Sequence, residues 1–251
     1  MIQVKTFYAH NELRNFSYLI LDDKSGESWV IDPYEAGPLS EYIKENHLNL
    51  RGILNTHQHF DHIRGNIPLM EMFKTEVRTL SPQETIQLNQ THALETLPTP
   101  GHTPEHQVFF ISSGGIRHSL FSGDTLFNAG VGNCKNGGNI NDLYETTGKL
   151  KVLPGDILLY PGHDYILRNL EFAATLEPEN AKILEGIRLA QGESEDNRRP
   201  RTLKEEMGVN PFFRLDSEEI RQRLTPEIRL EDESVIKREL FKKIRSLRDH
   251  W

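Results

Sequence analysis

The stretch THQHFDH, from Thr56 to His62, constrains this chain more than any other. It places His57, His59, Asp61 and His62 within six positions. Neither His57 nor His59 has a histidine four residues away, so the pair does not share one helical face. An i, i+2 pair suits an extended or loop backbone, with Asp61 and His62 pointing elsewhere as the turn closes. One turn can then feed two neighbouring sites. The competing reading is of ordinary loop histidines that cap turns. A metal site takes more than two protein ligands, so the choice rests on partners elsewhere in the chain.

Three such partners stand at the end of an apolar strand or in a glycine-bounded turn. LPTPGHTPEH carries His102, LFSGDTLF carries Asp124, and LLYPGHDY carries His163. Five histidines and two aspartates give seven ligands, and eight bonds if one carboxylate bridges. That is the inventory for two metal ions roughly 3.5–4 Å apart that share a carboxylate and a water. His106, four residues after His102, reads as a supporting group rather than a ligand.

The surrounding pattern is layered α/β. MIQVKTF, FSYLILD and SWVIDP read as the strands of an N-terminal meander, and PLSEYIKENHL carries helical spacing. GILNT is a short apolar strand running into the histidine turn. HQVFFIS, HSLFSGD and DILLYPG read as further strands, with a helix near INDLYETTGKLKVL. Repeated strand, loop and helix place the chemistry on loops after strands. From Leu176 onward the chain holds 16 Lys/Arg and 17 Asp/Glu, and apolar residues recur at helical spacing in EEIRQRL and VIKRELFKKIRSLRDHW. Strand signals vanish there, and QGESEDNRRPRT reads as an exposed connector. The expected division is a catalytic domain over 1–175 and a helical substrate-binding domain over 176–251.

A chain of 251 residues with 37 Asp+Glu against 29 Lys+Arg is no bulk binder of nucleic acid or anionic membrane. The lone Cys134 excludes an intrachain disulfide and suits a reducing compartment. No apolar run approaches membrane-spanning length, and the N-terminus has no basic segment followed by an apolar one, so a cytosolic location is expected.

THQHFDH matches the Thr-His-x-His-x-Asp-His signature of the metallo-β-lactamase superfamily, and His102, Asp124 and His163 follow in that superfamily's order. Within it, GDTLF, GHDYILRNLEFAATLEPEN and the tail TLKEEMGVNPFFRL resemble glyoxalase II, the hydroxyacylglutathione hydrolases. The resemblance implies an αβ/βα sandwich with a small helical C-terminal domain. It assigns His57, His59, His102 and Asp124 to one ion, and Asp61, His62, His163 and the shared Asp124 to the other. Zinc, iron and manganese all suit these ligands, with zinc the first choice.

The activity implied is hydrolysis of a small-molecule thioester such as lactoylglutathione by a hydroxide shared between two metals. Asp61, with His57 and His59, is assigned to the catalytic centre. No Gly-x-Ser-x-Gly elbow is present, so no serine nucleophile of that type competes. By the same resemblance Tyr165 contacts the substrate amide, and Arg245 and Arg248, three apart on a predicted helix, take the glutathione arm. On the loop after Asp124 the family commonly shows a basic residue and then an aromatic two positions on. This chain has Asn133 and Lys135 there, with Lys135 left to supply the charge. Three alternatives stand beside this reading: a persulfide dioxygenase with one iron, a lactonase of the same fold, and a non-catalytic binding relative.

Overall fold

The structure is a computed structural model that describes residues 1–82, 84–224 and 232–251. Residues 225–231, inside the expected C-terminal domain, lie outside the described residues. Contacts group the chain into two compact units. One comprises 1–98, 107–123 and 160–164; the other comprises 99–106, 124–159 and 165–251. This line differs from a cut at 175, because the loops that carry His102 and Asp124 group with the C-terminal helices.

The first unit opens with β1 (Ile2–Tyr8), β2 (Phe16–Asp22) and β3 (Glu27–Ile31), an antiparallel meander, as the alternation predicts. Helix α1 (Ala36–Glu45) then crosses over to β4 (Asn49–Leu54), which pairs in parallel with β3. After the short α2 (Phe60–Ile63) and α3 (Asn66–Phe73) come β5 (Thr85–Gln87), β6 (His92–Pro98), β7 (Gln107–Ser113) and β8 (Ile116–Gly123), antiparallel neighbours in chain order.

Strand period 2 divides the work of β2. Phe16, Tyr18 and Ile20 join Trp29, Ile31, Leu94, Phe109, Ile111 and Phe121 in one core between the two sheets. Leu19 and Leu21 face the other way, joining Val30 and Ile53 under Leu39 and Ile43 of α1 and Leu69 of α3. A helix-covered sheet packed on a second sheet gives three of the four layers of the expected sandwich. Burial on both faces explains why β2 is apolar along almost its whole length. Strands β5 and β6 carry little signal in the sequence: HALETLP shows no clear alternation, because only Leu94 and Thr96 are fully buried.

The second unit holds the hairpin of β9 (Leu126–Phe127) and β10 (Gly130–Val131), then α4 (Ile140–Lys151) and the start of β11 (Leu158–Pro161). The remaining helices are α5 (Ile166–Leu176), α6 (Ala181–Gly192), α7 (Leu203–Val209), α8 (Glu218–Leu224) and α9 (Glu233–His250). Ile166, Leu170 and Ala173 of α5 pack on Ile183 and Ala190 of α6. Phe241 of α9 meets Phe212 and, on α4, Tyr144 edge-on.

Two expectations for this region need correcting. Strand structure does not vanish after Leu176, since β12 (Arg201–Thr202) pairs with Leu158 and Leu159 of β11. The connector is also not simply exposed: Arg201 is buried and binds Glu193 at 2.9 Å, and Arg199 binds Glu205. Charges that look solvated in sequence are paired with one another, the Arg201 pair buried and the Arg199 pair at the surface. Thr202 and Glu205 then close a capping box that starts α7. Among the described residues no helix is long and apolar enough to cross a membrane.

Candidate metal centre

In the first unit, the parallel pairing of β3 with β4 sets Ile31 beside Leu54, so both strands end at the same edge. The residues that follow, Asp32 and Thr56, therefore meet. Asp32 is buried in the left-handed region at φ 49°, which aspartate tolerates better than most residues. Its carboxylate accepts from Thr56 N at 2.8 Å, Thr56 Oγ1 at 2.6 Å and His62 Nδ1 at 3.0 Å. The turn itself is closed by Asn55 Nδ2, which donates to the His62 carbonyl at 2.8 Å. Asp32, His57 and His62 lie close enough to resemble a metal triad, but Asp32 is occupied in orienting the histidine turn.

His163 follows β11, and its Nδ1 lies 2.7 Å from the Leu13 carbonyl. A carbonyl oxygen only accepts, so this nitrogen donates, as His62 Nδ1 donates to Asp32. In the neutral rings both Nε2 atoms then carry lone pairs, and they face each other at 3.3 Å. Asp61 Oδ2 lies 3.5 Å from each. Three electron-pair donors on one point repel unless a cation sits among them, so these residues fit a metal ion. Asn15 Nδ2 steadies Asp61 at 2.9 Å, and Arg14 fastens the chain beside His163 by its ion pair with Asp164. His57 Nδ1 donates to Thr56 Oγ1, whose own proton goes to Asp32. His57 Nε2 is thereby left as an acceptor, 3.0 Å from His59 Nδ1.

In the second unit, His102 is buried, and its Nδ1 donates to the Asn133 carbonyl at 2.7 Å. Its Nε2 is left 3.5 Å from Asp124 Oδ2. Gly132 is where the chain comes back close: a Cβ there would lie 1.9 Å from the Asp124 carbonyl and 3.0 Å from His102 Nδ1. His106 is a supporting group, as expected. Its Nδ1 lies within 3.0 Å of Thr99 Oγ1 and Thr125 Oγ1, and its Nε2 accepts from the Asp124 amide at 3.2 Å.

The residues expected to bind substrate all fall in the second unit, yet they do not form an open basic pair. Tyr165 caps α5 and meets Phe127 edge-on at 5.3 Å. Asn133 lends its carbonyl to His102, while Lys135 is exposed with its ammonium 3.9 Å from Asp249. Arg245 is buried, donating to the Val131 carbonyl at 2.7 Å and pairing with Asp249 at 3.0 Å. Arg248 donates to Asn169 Oδ1 at 3.0–3.1 Å and lies over Phe172 and Trp251. Burial brings its guanidinium down to about 10. The two arginines share a helix but turn to different partners. Cys134 is half-buried, and loss of solvent pushes its thiol up to about 11, so it is a poor nucleophile at neutral pH.

Sequence reasoning missed Asp32, Asn15 and Arg14. The one signal for Asp32 was an acidic residue ending the apolar strand SWVI, directly before proline.

Residues 11–90 match the family model of the metallo-beta-lactamase superfamily, and residues 164–251 match that of the hydroxyacylglutathione hydrolase C-terminus. The chain is 34% identical to the hydroxyacylglutathione hydrolase of Nitrosococcus oceani over 99% of both chains. It is 35% identical to that of a Polaromonas species, again over 99% of both. The chain belongs to the hydroxyacylglutathione hydrolase family. Its fold is that of the metallo-β-lactamases: a solved Staphylococcus aureus metallo-beta-lactamase superposes with a TM-score of 0.65 at 21% identity, covering 98% of this chain and 72% of that one. As a family member this chain is a metal-dependent hydrolase, and its His/Asp groups are its candidate metal sites.

Proposed function

We propose that this hydroxyacylglutathione hydrolase family member cleaves S-(2-hydroxyacyl)glutathione thioesters such as lactoylglutathione, using two divalent ions, to give a 2-hydroxy acid and free thiol. The ions are assigned as the resemblance has them. His57, His59, His102 and Asp124 hold one; Asp61, His62, His163 and Asp124 hold the other. The observation that carries this reading is the likeness along the whole chain to hydroxyacylglutathione hydrolases, in a chain with every metal-ligand position filled. Zinc is the first choice for both ions, and a reducing, cytosolic setting suits the lone Cys134. Residues 176–251 are assigned to thiol recognition.

Bound at these ligands, the ions supply Lewis acidity for the thioester carbonyl and a nucleophile at neutral pH. The chain's own part is orientation and charge. Asp32 keeps His62 in the tautomer that presents Nε2, and the Leu13 carbonyl does the same for His163. Asp61, steadied by Asn15, would both ligate one ion and orient the nucleophile. The thiolate leaves with little acid assistance, because thiols are far more acidic than alcohols, and no separate acid residue is needed. Tyr165, Lys135, Asn133, Arg245 and Arg248 are assigned to the glutathione arm. The helical segment matched as a hydroxyacylglutathione hydrolase C-terminus supports this reading over a single-iron dioxygenase, a lactonase or a silent binding relative.

The test is to measure metal per chain and assay lactoylglutathione beside other thioesters and glutathione persulfide. Two ions and lactoylglutathione hydrolysis are expected. One iron, with oxygen consumed on the persulfide, overturns the proposal.

A further inference from the structure

His102 is oriented by a backbone carbonyl, so whatever fixes that carbonyl fixes the ring. The carbonyl belongs to Asn133, two residues beyond the β9–β10 hairpin. That hairpin turns through Asn128 and Ala129, and Ala129 is held in the left-handed region at φ 55°. A non-glycine residue there needs outside support, and the support comes from α7. Glu206, 1% exposed, accepts the Ala129 amide at 2.7 Å. Asn210, one turn later and fully buried, donates to the Gly130 carbonyl at 3.1 Å and to Glu206 Oε2 at 3.2 Å. The Asn210 Oδ1 accepts from Phe212 N at 3.1 Å, which sets the direction of the amide. Asn169 and Arg245 grip the same hairpin at the Asn128 and Val131 carbonyls.

We propose that Glu206 and Asn210 are positioning residues: by clamping the hairpin 126–131 they hold Gly132 and Asn133 against His102, and so aim its Nε2 at the ion it shares with Asp124. The geometry is continuous through the second unit. Helix α7 grips the turn, the turn returns Gly132 to the Asp124 carbonyl, and Asn133 takes the His102 proton. A carboxyl and an amide, both buried, are an expensive way to fill core space. Apolar residues would seal α7 onto the hairpin equally well; they could not hold an amide in the left-handed turn. Burial also pushes the Glu206 carboxyl up to about 7, so near neutral pH a large share of it is uncharged, and Gln can stand in for it.

This inference rests on the two-metal reading, and the experiment separates the two. Wild type, Glu206→Ala, Glu206→Gln and Asn210→Ala are loaded with zinc. They are titrated with a chromophoric chelator, with circular dichroism and kcat and KM for lactoylglutathione measured in parallel. Displacing an orienting partner of a ligand costs about 10–100-fold in metal affinity. Glu206→Ala and Asn210→Ala are therefore expected to weaken one of the two zinc ions by that factor. kcat should fall and KM should hold, with Glu206→Gln restoring wild-type release. Both alanine variants keeping two ions at wild-type affinity overturns the inference alone. So does loss of all zinc with loss of helical signal in both, which marks a folding role only. Wild type that binds neither zinc, iron nor manganese overturns the functional reading itself.

Discussion

The two compact units orient their candidate metal ligands by different means. In the first, His57, Asp61 and His62 come from one turn and are oriented by side chains, chiefly Asp32 and Asn15, while His163 leans on the Leu13 carbonyl. In the second, His102 leans on a backbone carbonyl whose position depends on a hairpin and a distant helix. A charged partner strengthens a ligand's basicity and acts from wherever its side chain can reach. A backbone partner is only as good as the loop that carries it. The histidine turn is braced by side chains of its own unit, whereas the clamp proposed above would tie His102 to the packing of the C-terminal helices.

The sharpest way to break this comparison is to remove a ligand from each side. Asp124→Ala is expected to lose metal from both sites and with it all measurable hydrolysis, while His163→Ala empties mainly one. Metal analysis of the two variants decides, and an Asp124→Ala protein that keeps two ions would mean the bridging assignment is wrong. Next in size is the pH response of the second unit's clamp. Burial raises the Glu206 carboxyl from 4.5 to about 7. The folded state therefore holds its proton more tightly than the unfolded state, and this contribution to stability is present below pH 4.5 and lost as pH rises through 7. The shift of 7 − 4.5 = 2.5 units corresponds to about 3 kcal/mol. Urea unfolding at pH 5 and pH 8 should show wild type losing about 2 kcal/mol more than Glu206→Gln, since pH 5 already lies above the unfolded value; equal losses would place the carboxyl outside the coupling.

A smaller effect sharpens the first unit. Asp32→Asn keeps the shape of Asp32 but removes the charge behind His62, and should weaken the ion held by Asp61, His62 and His163 by roughly 10–100-fold. Chelator titration measures it, and an unchanged midpoint would leave Asp32 a purely structural residue. The smallest expected change is Arg248→Ala. If Arg248 serves the glutathione arm, KM for a glutathione thioester rises by about tenfold, the loss of one charge-assisted contact, while a small uncharged thioester is hydrolysed as before. An unchanged KM would assign Arg248 wholly to its bond with Asn169.

Much of the candidate site is legible in the chain itself, because ligand chemistry is carried by residue type and by spacing within short turns. THQHFDH, GHT, SGD and PGH each mark a strand end, and the five histidines and two aspartates can be named without knowing how the strands are ordered. The meander and the C-terminal helices were legible for the same reason, since period 2 and period 3.6 are properties of consecutive residues. What tertiary structure decided are the partners of those ligands. Leu13 is 150 residues from His163, and Val131 is 114 from Arg245. Nothing local distinguishes a carbonyl that will accept from a metal-binding imidazole. Arg245 and Arg248 show the limit plainly. Their spacing predicts one shared face, but a long flexible side chain goes where buried acceptors are, and the fold put those acceptors on a hairpin for one and on α5 for the other.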